Sequence, residues 1–196
     1  MRLQTLFASL SLGLLLLAGG WTLAHNSHYL PTSGPGVVNF DPARKLSPIR
    51  LTTHQGAAAV LPSPGQPLAL YLGYTQCPDA CPLSLERLRQ ARLRLGSNPG
   101  VRLGFITLDP AHDTARVMEQ YLRPFASVQG YTGSPSEIDR LAQALEVRYN
   151  RGPGGQRLYH TDVIALFDKK GQLTRMLYGA SRFSVDQLES ELRKLL

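Results

Sequence analysis

The feature that most limits the fold is the six-residue run Leu68-Ala69-Leu70-Tyr71-Leu72-Gly73, which contains no charged side chain and no apolar/polar alternation. So short an apolar run reads as a central strand covered on both faces. After Pro82, Leu85, Leu88, Ala91 and Leu95 recur at helical spacing until Gly96-Ser97-Asn98-Pro99-Gly100 ends the helix. Val101 to Leu108 then reads as a second strand. Short apolar runs alternating with longer amphipathic ones predict an α/β domain, a central mixed β-sheet flanked by helices.

The remaining elements fit that plan. Ile49 to Thr53 and Ala57 to Val60 flank His54-Gln55-Gly56 as a small hairpin. Asp113-Thr114 supplies cap chemistry for a helix through Leu122, which Pro124 closes. Ser134-Pro135-Ser136-Glu137 combines a cap, a proline at the first helical position and a glutamate three residues on, and predicts a helix over Glu137 to Tyr149. Gly152-Pro153-Gly154-Gly155 reads as a loop. Val163 to Phe167 and Leu173 to Tyr178 form a hairpin about Asp168-Lys169-Lys170-Gly171, and Ser184 to Gln187 caps a last helix.

The 196 residues suit one such domain, over residues 46–196, with an attached segment. After Arg2 there is no charged residue before Asp41, and Leu3 to Ala24 is dominated by Leu, Ala and Gly. Residues 1–24 therefore read as a membrane-targeting segment. A cleaved signal peptide has an apolar stretch of about 7–15 residues and a spanning helix needs roughly 20, so the length favours an anchor. Trp21 fits an interfacial anchor, with Arg2 holding the N-terminus inside while the remainder is exported. Cleavage after Thr22-Leu23-Ala24 stays open. Residues 25–45, rich in Pro, Gly, Ser and Asn, read as a flexible tether. The expected location is the exported side of the cytoplasmic membrane, the periplasm, where two nearby thiols tend to pair unless a metal or reductant holds them.

The net charge of +7 raises nucleic acid as a partner. The basic residues are spread along the chain, however, and the one dense stretch, Arg87, Arg89, Arg92 and Arg94, has no interleaved aromatics. A solvated helix face accounts for it, and no nucleic-acid partner is expected.

The two cysteines lie four apart in Tyr74-Thr75-Gln76-Cys77-Pro78-Asp79-Ala80-Cys81-Pro82, between the buried strand and the helix start. A helix N-terminus favours anions, so thiolates there are stabilised as ligands and as nucleophiles. The spacing allows the pair to chelate one ion or to close a disulfide. A disulfide kept only for stability is disfavoured, because so short a loop gains little from closure. Two thiolates need a third donor for a tight site, and sulfur with imidazole suits Cu(I) while tolerating Cu(II). Of the five histidines, His25 and His28 fall in the tether, His54 in a turn and His112 before a helix. His160 stands in a loop leading into Val163 to Phe167 and is suggestive by position. Asp79, between the cysteines, reads as a turn residue able to tune them, and Asp109 and Asp113 as loop-closing and helix-capping residues.

The stretch from Gly73 to Pro82 resembles the Sco/SenC family of copper-binding proteins, and the similarity continues through Thr107-Leu108-Asp109-Pro110-Ala111-His112-Asp113-Thr114, Gly130-Tyr131-Thr132-Gly133 and Tyr159-His160-Thr161. The resemblance implies a thioredoxin-like fold on a membrane tether, with copper held by Cys77, Cys81 and His160. It further implies a role in maturing the dinuclear copper centre of cytochrome c oxidase, with the copper-receiving oxidase subunit and a copper donor protein as partners. Tyr159 stands where many relatives carry an acidic residue beside the histidine. Two functions follow. A copper metallochaperone would hold the ion in an exchangeable three-ligand site. A thiol–disulfide reductase would use Cys77 as the attacking and Cys81 as the resolving thiol to keep the recipient's cysteines reduced. A thiol peroxidase fits the signature less well, and a copper-sensing role is not selected by any residue.

Overall fold

The computed structural model describes residues 35–96, 100–151 and 158–196. The expected anchor over residues 1–24, the tether up to residue 34 with His25 and His28, and the glycine loop at 152–155 lie outside the described residues.

An eight-stranded mixed sheet forms the centre. Its strands are β1 (Gly36–Arg44), β2 (Ile49–Thr53), β3 (Ala58–Leu61), β4 (Leu68–Gly73), β5 (Arg102–Thr107), β6 (Val128–Thr132), β9 (Val163–Phe167) and β10 (Leu173–Tyr178). Two short strands, β7 (Tyr149–Arg151) and β8 (Leu158–His160), pair with each other as a separate ribbon. The order across the sheet is β1-β10-β9-β4-β5-β6-β2-β3. Among the described residues only β4–β5 and β5–β6 are parallel pairs. Helices α1 (Ala80–Arg94) and α2 (Ala115–Leu122) make the two crossovers between them, followed in the chain by α3 (Pro135–Ala144) and α4 (Val185–Arg193). Helix α1 packs against α4 and against a 3-10 turn at Ala180–Arg182.

The central strand is where the apolar run predicts it: all six residues of β4 are buried. Leu70 lies beside Gly104 of β5, and a Cβ at Gly104 would come within 2.8 Å of the Leu70 side chain. The missing side chain on one strand is the space that the leucine on the next one fills. Helices α3 and α4 each begin with a complete capping box, Ser134 with Glu137 and Ser184 with Gln187.

Three expectations need correction, and one strand was not expected. Residues 36–44, expected as tether, form β1 and pair antiparallel with β10 from Gly36↔Tyr178 to Arg44↔Leu173 across a bulge. This is an edge strand with most side chains exposed, so its sequence carries no alternation, and Pro42 is tolerated because an edge leaves one row of backbone groups unpaired. The helix expected over Glu137 to Tyr149 ends at Ala144. Glu146 adopts a left-handed backbone (φ 56°) and turns the chain into β7, with no glycine to announce the stop. Val128–Thr132, to which the sequence pattern assigns no element, is strand β6, parallel to β5. His160 ends strand β8 rather than lying in a loop.

Among the described residues no helix is long and apolar enough to cross a membrane. Leu70→Ala should cost about 3 kcal/mol in urea unfolding, because the cavity opens at the middle of the sheet where neighbouring strands cannot collapse into it. A loss below about 1 kcal/mol would contradict this packing.

Candidate metal centre

The site is assembled at the end of β4. The chain leaves Gly73, turns through Tyr74 to Asp79 and enters α1 at Ala80. Pro82 is accommodated because the first turn of a helix has backbone N–H groups without intrahelical partners. Cys81 is therefore a first-turn residue and fully buried, while Cys77 stands outside the helix and is half-buried. The Cys81 N–H donates to Cys77 Sγ at 3.4 Å. Gly73 is required for close approach: a Cβ there would lie 2.9 Å from Cys81 Sγ and 3.1 Å from Phe105 Cε2.

His160 arrives from the β7–β8 ribbon, and its Nε2 lies 3.7 Å from Cys81 Sγ. Its Nδ1 is 3.0 Å from the Thr161 carbonyl, which only an N–H can satisfy, so the lone pair is on Nε2 and faces the sulfurs. The Tyr74 ring meets the imidazole edge to face at 5.7 Å between centroids and fixes its plane. One ligand atom from each of Cys77, Cys81 and His160 falls within 4.8 Å of the others. Metal–sulfur and metal–nitrogen bonds of about 2.0–2.3 Å place three in-plane donors roughly 3.5–4 Å apart. The three side chains need only a small inward movement to hold one soft ion.

The two thiols share their protons unequally. The Cys77 thiol is pulled well below the ordinary value, first by the hydrogen bond from Cys81, with further help from the backbone at Cys81 and Asp79, against opposing burial. Cys81 is pushed up, first by its hydrogen bond to Cys77 and then by burial. Cys77 is thus the thiolate and Cys81 the proton donor of the pair.

The other candidates are placed elsewhere. Asp79 is exposed at the start of α1 and makes no side-chain cap bond. His54 Nδ1 accepts from the Gly130 N–H at 3.0 Å, and His112 Nδ1 sits 2.9 Å from Asp109 Oδ1. Thr114 rather than Asp113 caps α2.

Asp113 is the residue whose part in the site the sequence reading missed. Fully buried, it accepts from the Thr75 N–H at 2.9 Å, the Thr75 hydroxyl at 2.6 Å and the Thr107 hydroxyl at 2.6 Å. It ties the end of β5 to the turn two residues before Cys77. An aspartate beside a capping threonine is explained locally, which hid this longer reach.

The chain and its fold are similar to known proteins. The SCO1/SenC family model covers residues 41–196. The mitochondrial protein SCO2 homolog of Homo sapiens is 35% identical over 138 residues, 66% of this chain and 51% of that protein. The chain spans about half the length of such curated relatives. Copper-bound ScoI of Bradyrhizobium japonicum is similar at a TM-score of 0.68 and 29% identity, over 76% of this chain and 98% of that one. Copper-bound ScoI of Arabidopsis thaliana gives 0.70 and 28%, over 76% and 95%. The apo Sco1 of Thermus thermophilus gives 0.66 and 31%, over 78% and 95%.

Two outcomes test this geometry. Iodoacetamide should modify Cys77 before Cys81, at a rate nearly constant from pH 8 down to pH 6, since a lowered thiol keeps its thiolate as pH falls. An ordinary thiol would slow about tenfold per pH unit over that range. Asp113→Ala strands three donors and should cost about 3 kcal/mol in urea unfolding; a loss under 1 kcal/mol would show that the clamp is dispensable.

Proposed function

The chain belongs to the SCO1/SenC family, and from that premise we propose that it is a copper metallochaperone, holding one copper ion as cargo between Cys77, Cys81 and His160. The observation that carries this reading is the convergence of three soft or borderline donors within 4.8 Å, with the imidazole lone pair already turned toward the sulfurs. Two thiolates and one neutral imidazole suit Cu(I) and tolerate Cu(II). A three-ligand site leaves the ion open to an incoming donor, so ligands exchange one at a time. Cys77, the more exposed sulfur, is the first to be replaced, and buried Cys81 the last. Asp113 and Gly73 hold the turn so that departure of one ligand does not scatter the others.

The recipient in this reading is the copper-receiving subunit of cytochrome c oxidase, and a separate protein loads the ion. Residues 1–24 anchor the domain on the periplasmic side of the cytoplasmic membrane, with the chain up to β1 as tether. Both belong to the proposal, as do the oxidase and the donor.

The thiolate at Cys77 favours a second reading, a thiol–disulfide reductase. Cys77 Sγ attacks a substrate disulfide, forming a mixed disulfide and releasing one substrate thiol. Cys81 then attacks Cys77 Sγ, closing the Cys77–Cys81 disulfide and releasing the second thiol, so two electrons pass from the pair to the substrate. Such a cycle has no need of a distal imidazole.

Anaerobic copper titration of the reduced full chain against a competing chelator decides between them. One ion per chain, lost in Cys77→Ala, Cys81→Ala and His160→Ala alike, is the expected result. Absence of competitive binding by the wild type would remove the metallochaperone and leave the reductase.

A further inference from the structure

The two edges of the central sheet, β1 and β3, are built differently. Strand β1 carries Asp41, Pro42 and Arg44, and its register shifts between Asn39 and Arg44. Charges, proline and bulges on an edge keep a further strand from pairing there. Strand β3, Ala58-Ala59-Val60-Leu61, has neither a charged residue nor a proline. It follows β2 from Ile49↔Leu61 to Thr52↔Ala58 without a shift. Among the described residues the outer row of its backbone groups has no partner strand. Leu61 is buried, whereas Val60 is 45% exposed beside that row. One edge of the sheet is thus blunted, and the other is left regular and open.

The surroundings of the open edge are basic. Val60 stands opposite Arg50 in the β2–β3 register, and the two share with Pro48, Glu137 and Arg140 a recess of about 490 Å³. Past Arg50 and Glu137 a second recess of about 400 Å³ continues along the start of α3. Arg50 and Arg140 are both exposed. The carboxylate between them, Glu137, is held by the capping box: its Oε2 accepts from the Ser134 N–H at 3.0 Å and the Ser134 hydroxyl at 2.8 Å. Two exposed guanidiniums against one committed carboxylate leave the recess with a net positive charge.

We propose that the outer edge of β3 is a docking site for an extended, acidic segment of a partner protein, which adds to the sheet as a further strand with its carboxylates toward Arg50 and Arg140. In strand addition the main-chain hydrogen bonds give affinity, and the side chains beside the edge give specificity. Here the edge supplies the outward backbone groups of β3, Val60 supplies an apolar contact, and the two arginines select the charge of the occupant. A second copy of this chain is the poorer occupant. Self-pairing about a two-fold axis would bring Arg50 and Arg140 against the same residues of the other copy, and each copy carries a net charge of +7. An acidic segment meets opposite charge along the same path. Strand β3 is four strands away from β4, which leads to the cysteines, so this docking site stands whatever the metal centre holds. The plain alternative is an edge protected by its shortness alone; an acidic strand would then find no more there than a basic one.

The test uses the full 196-residue chain and, as probe, a capped peptide of alternating glutamate and valine at concentrations up to about 1 mM, where even a weak strand addition registers. The readouts are fluorescence anisotropy of the labelled peptide and amide hydrogen exchange at Ala58–Leu61. The peptide should bind, slow exchange at the outward amides of β3 and bind more weakly as salt is added. The lysine–valine counterpart, and the glutamate–valine peptide N-methylated at alternate residues, should do neither. Arg50→Gln combined with Arg140→Gln should weaken binding about fivefold, the size expected for two exposed charge pairs. Unslowed exchange at Ala58–Leu61, equal binding of the lysine or N-methylated peptide, or a folded double variant that binds as tightly as wild type would each overturn the proposal. If the double variant does not fold, the three peptides on the wild type decide alone. A dimer of the chain in sedimentation that Val60→Lys dissolves would assign the edge to a second copy and overturn the proposal as well.

Discussion

The carboxylate of Asp113 is the constraint on which the site depends. It is buried, and three donors from two segments converge on it. Hydrogen bonds to a charged acceptor contribute about 1.5–3 kcal/mol each. Removing an ion from water costs several kcal/mol. Gain and cost are of the same order, so the intact clamp adds little over an apolar pairing, although losing the carboxylate alone strands its donors, and its consequence is geometric. It sets where the chain leaving β4 must turn, and so where Cys77 stands relative to the first turn of α1.

From that turn follows the division between the two cysteines. One helix start supplies a backbone N–H to Cys77 and buries Cys81 against β4, so identical side chains four residues apart receive different protons and different access to solvent. The third donor comes from a ribbon outside the main sheet, held by Tyr74 on its ring face and by Thr161 at Nδ1. Two ligands are thus held together by one turn and the first N–H groups of α1, while the third comes from a separate ribbon whose continuation, at Asp162, is bonded to Tyr71 of β4. An exchangeable site needs this combination: enough order to hold three donors near one point, and separate supports so that one can leave.

Legibility along the chain followed the reach of the interactions involved. Strand β4 and the β9–β10 hairpin were visible because full burial leaves an uninterrupted apolar run and a tight turn leaves its glycine. The starts of α3 and α4 were visible because a capping box is written within four residues. Strand β1 was not, since an edge strand is held by backbone bonds and keeps its side chains in solvent. The end of α3 was missed because Glu146 takes a left-handed backbone without being glycine.

For the site, the chain by itself determined the cysteine pair, its place at a helix N-terminus and, through resemblance, the histidine that joins it. These are local or pattern-borne properties, carried by contiguous residues. The tertiary structure supplied the reason that Cys77, already the expected attacking thiol, rather than Cys81 carries the thiolate, and it alone decided that Asp113 reaches back 38 residues to Thr75 and that Tyr71 and Asp162 meet across 91 residues. Burial and hydrogen-bond partnership depend on which strands become neighbours. That order, with β9 beside β4 and β4 beside β5, is fixed only when the sheet closes around its core.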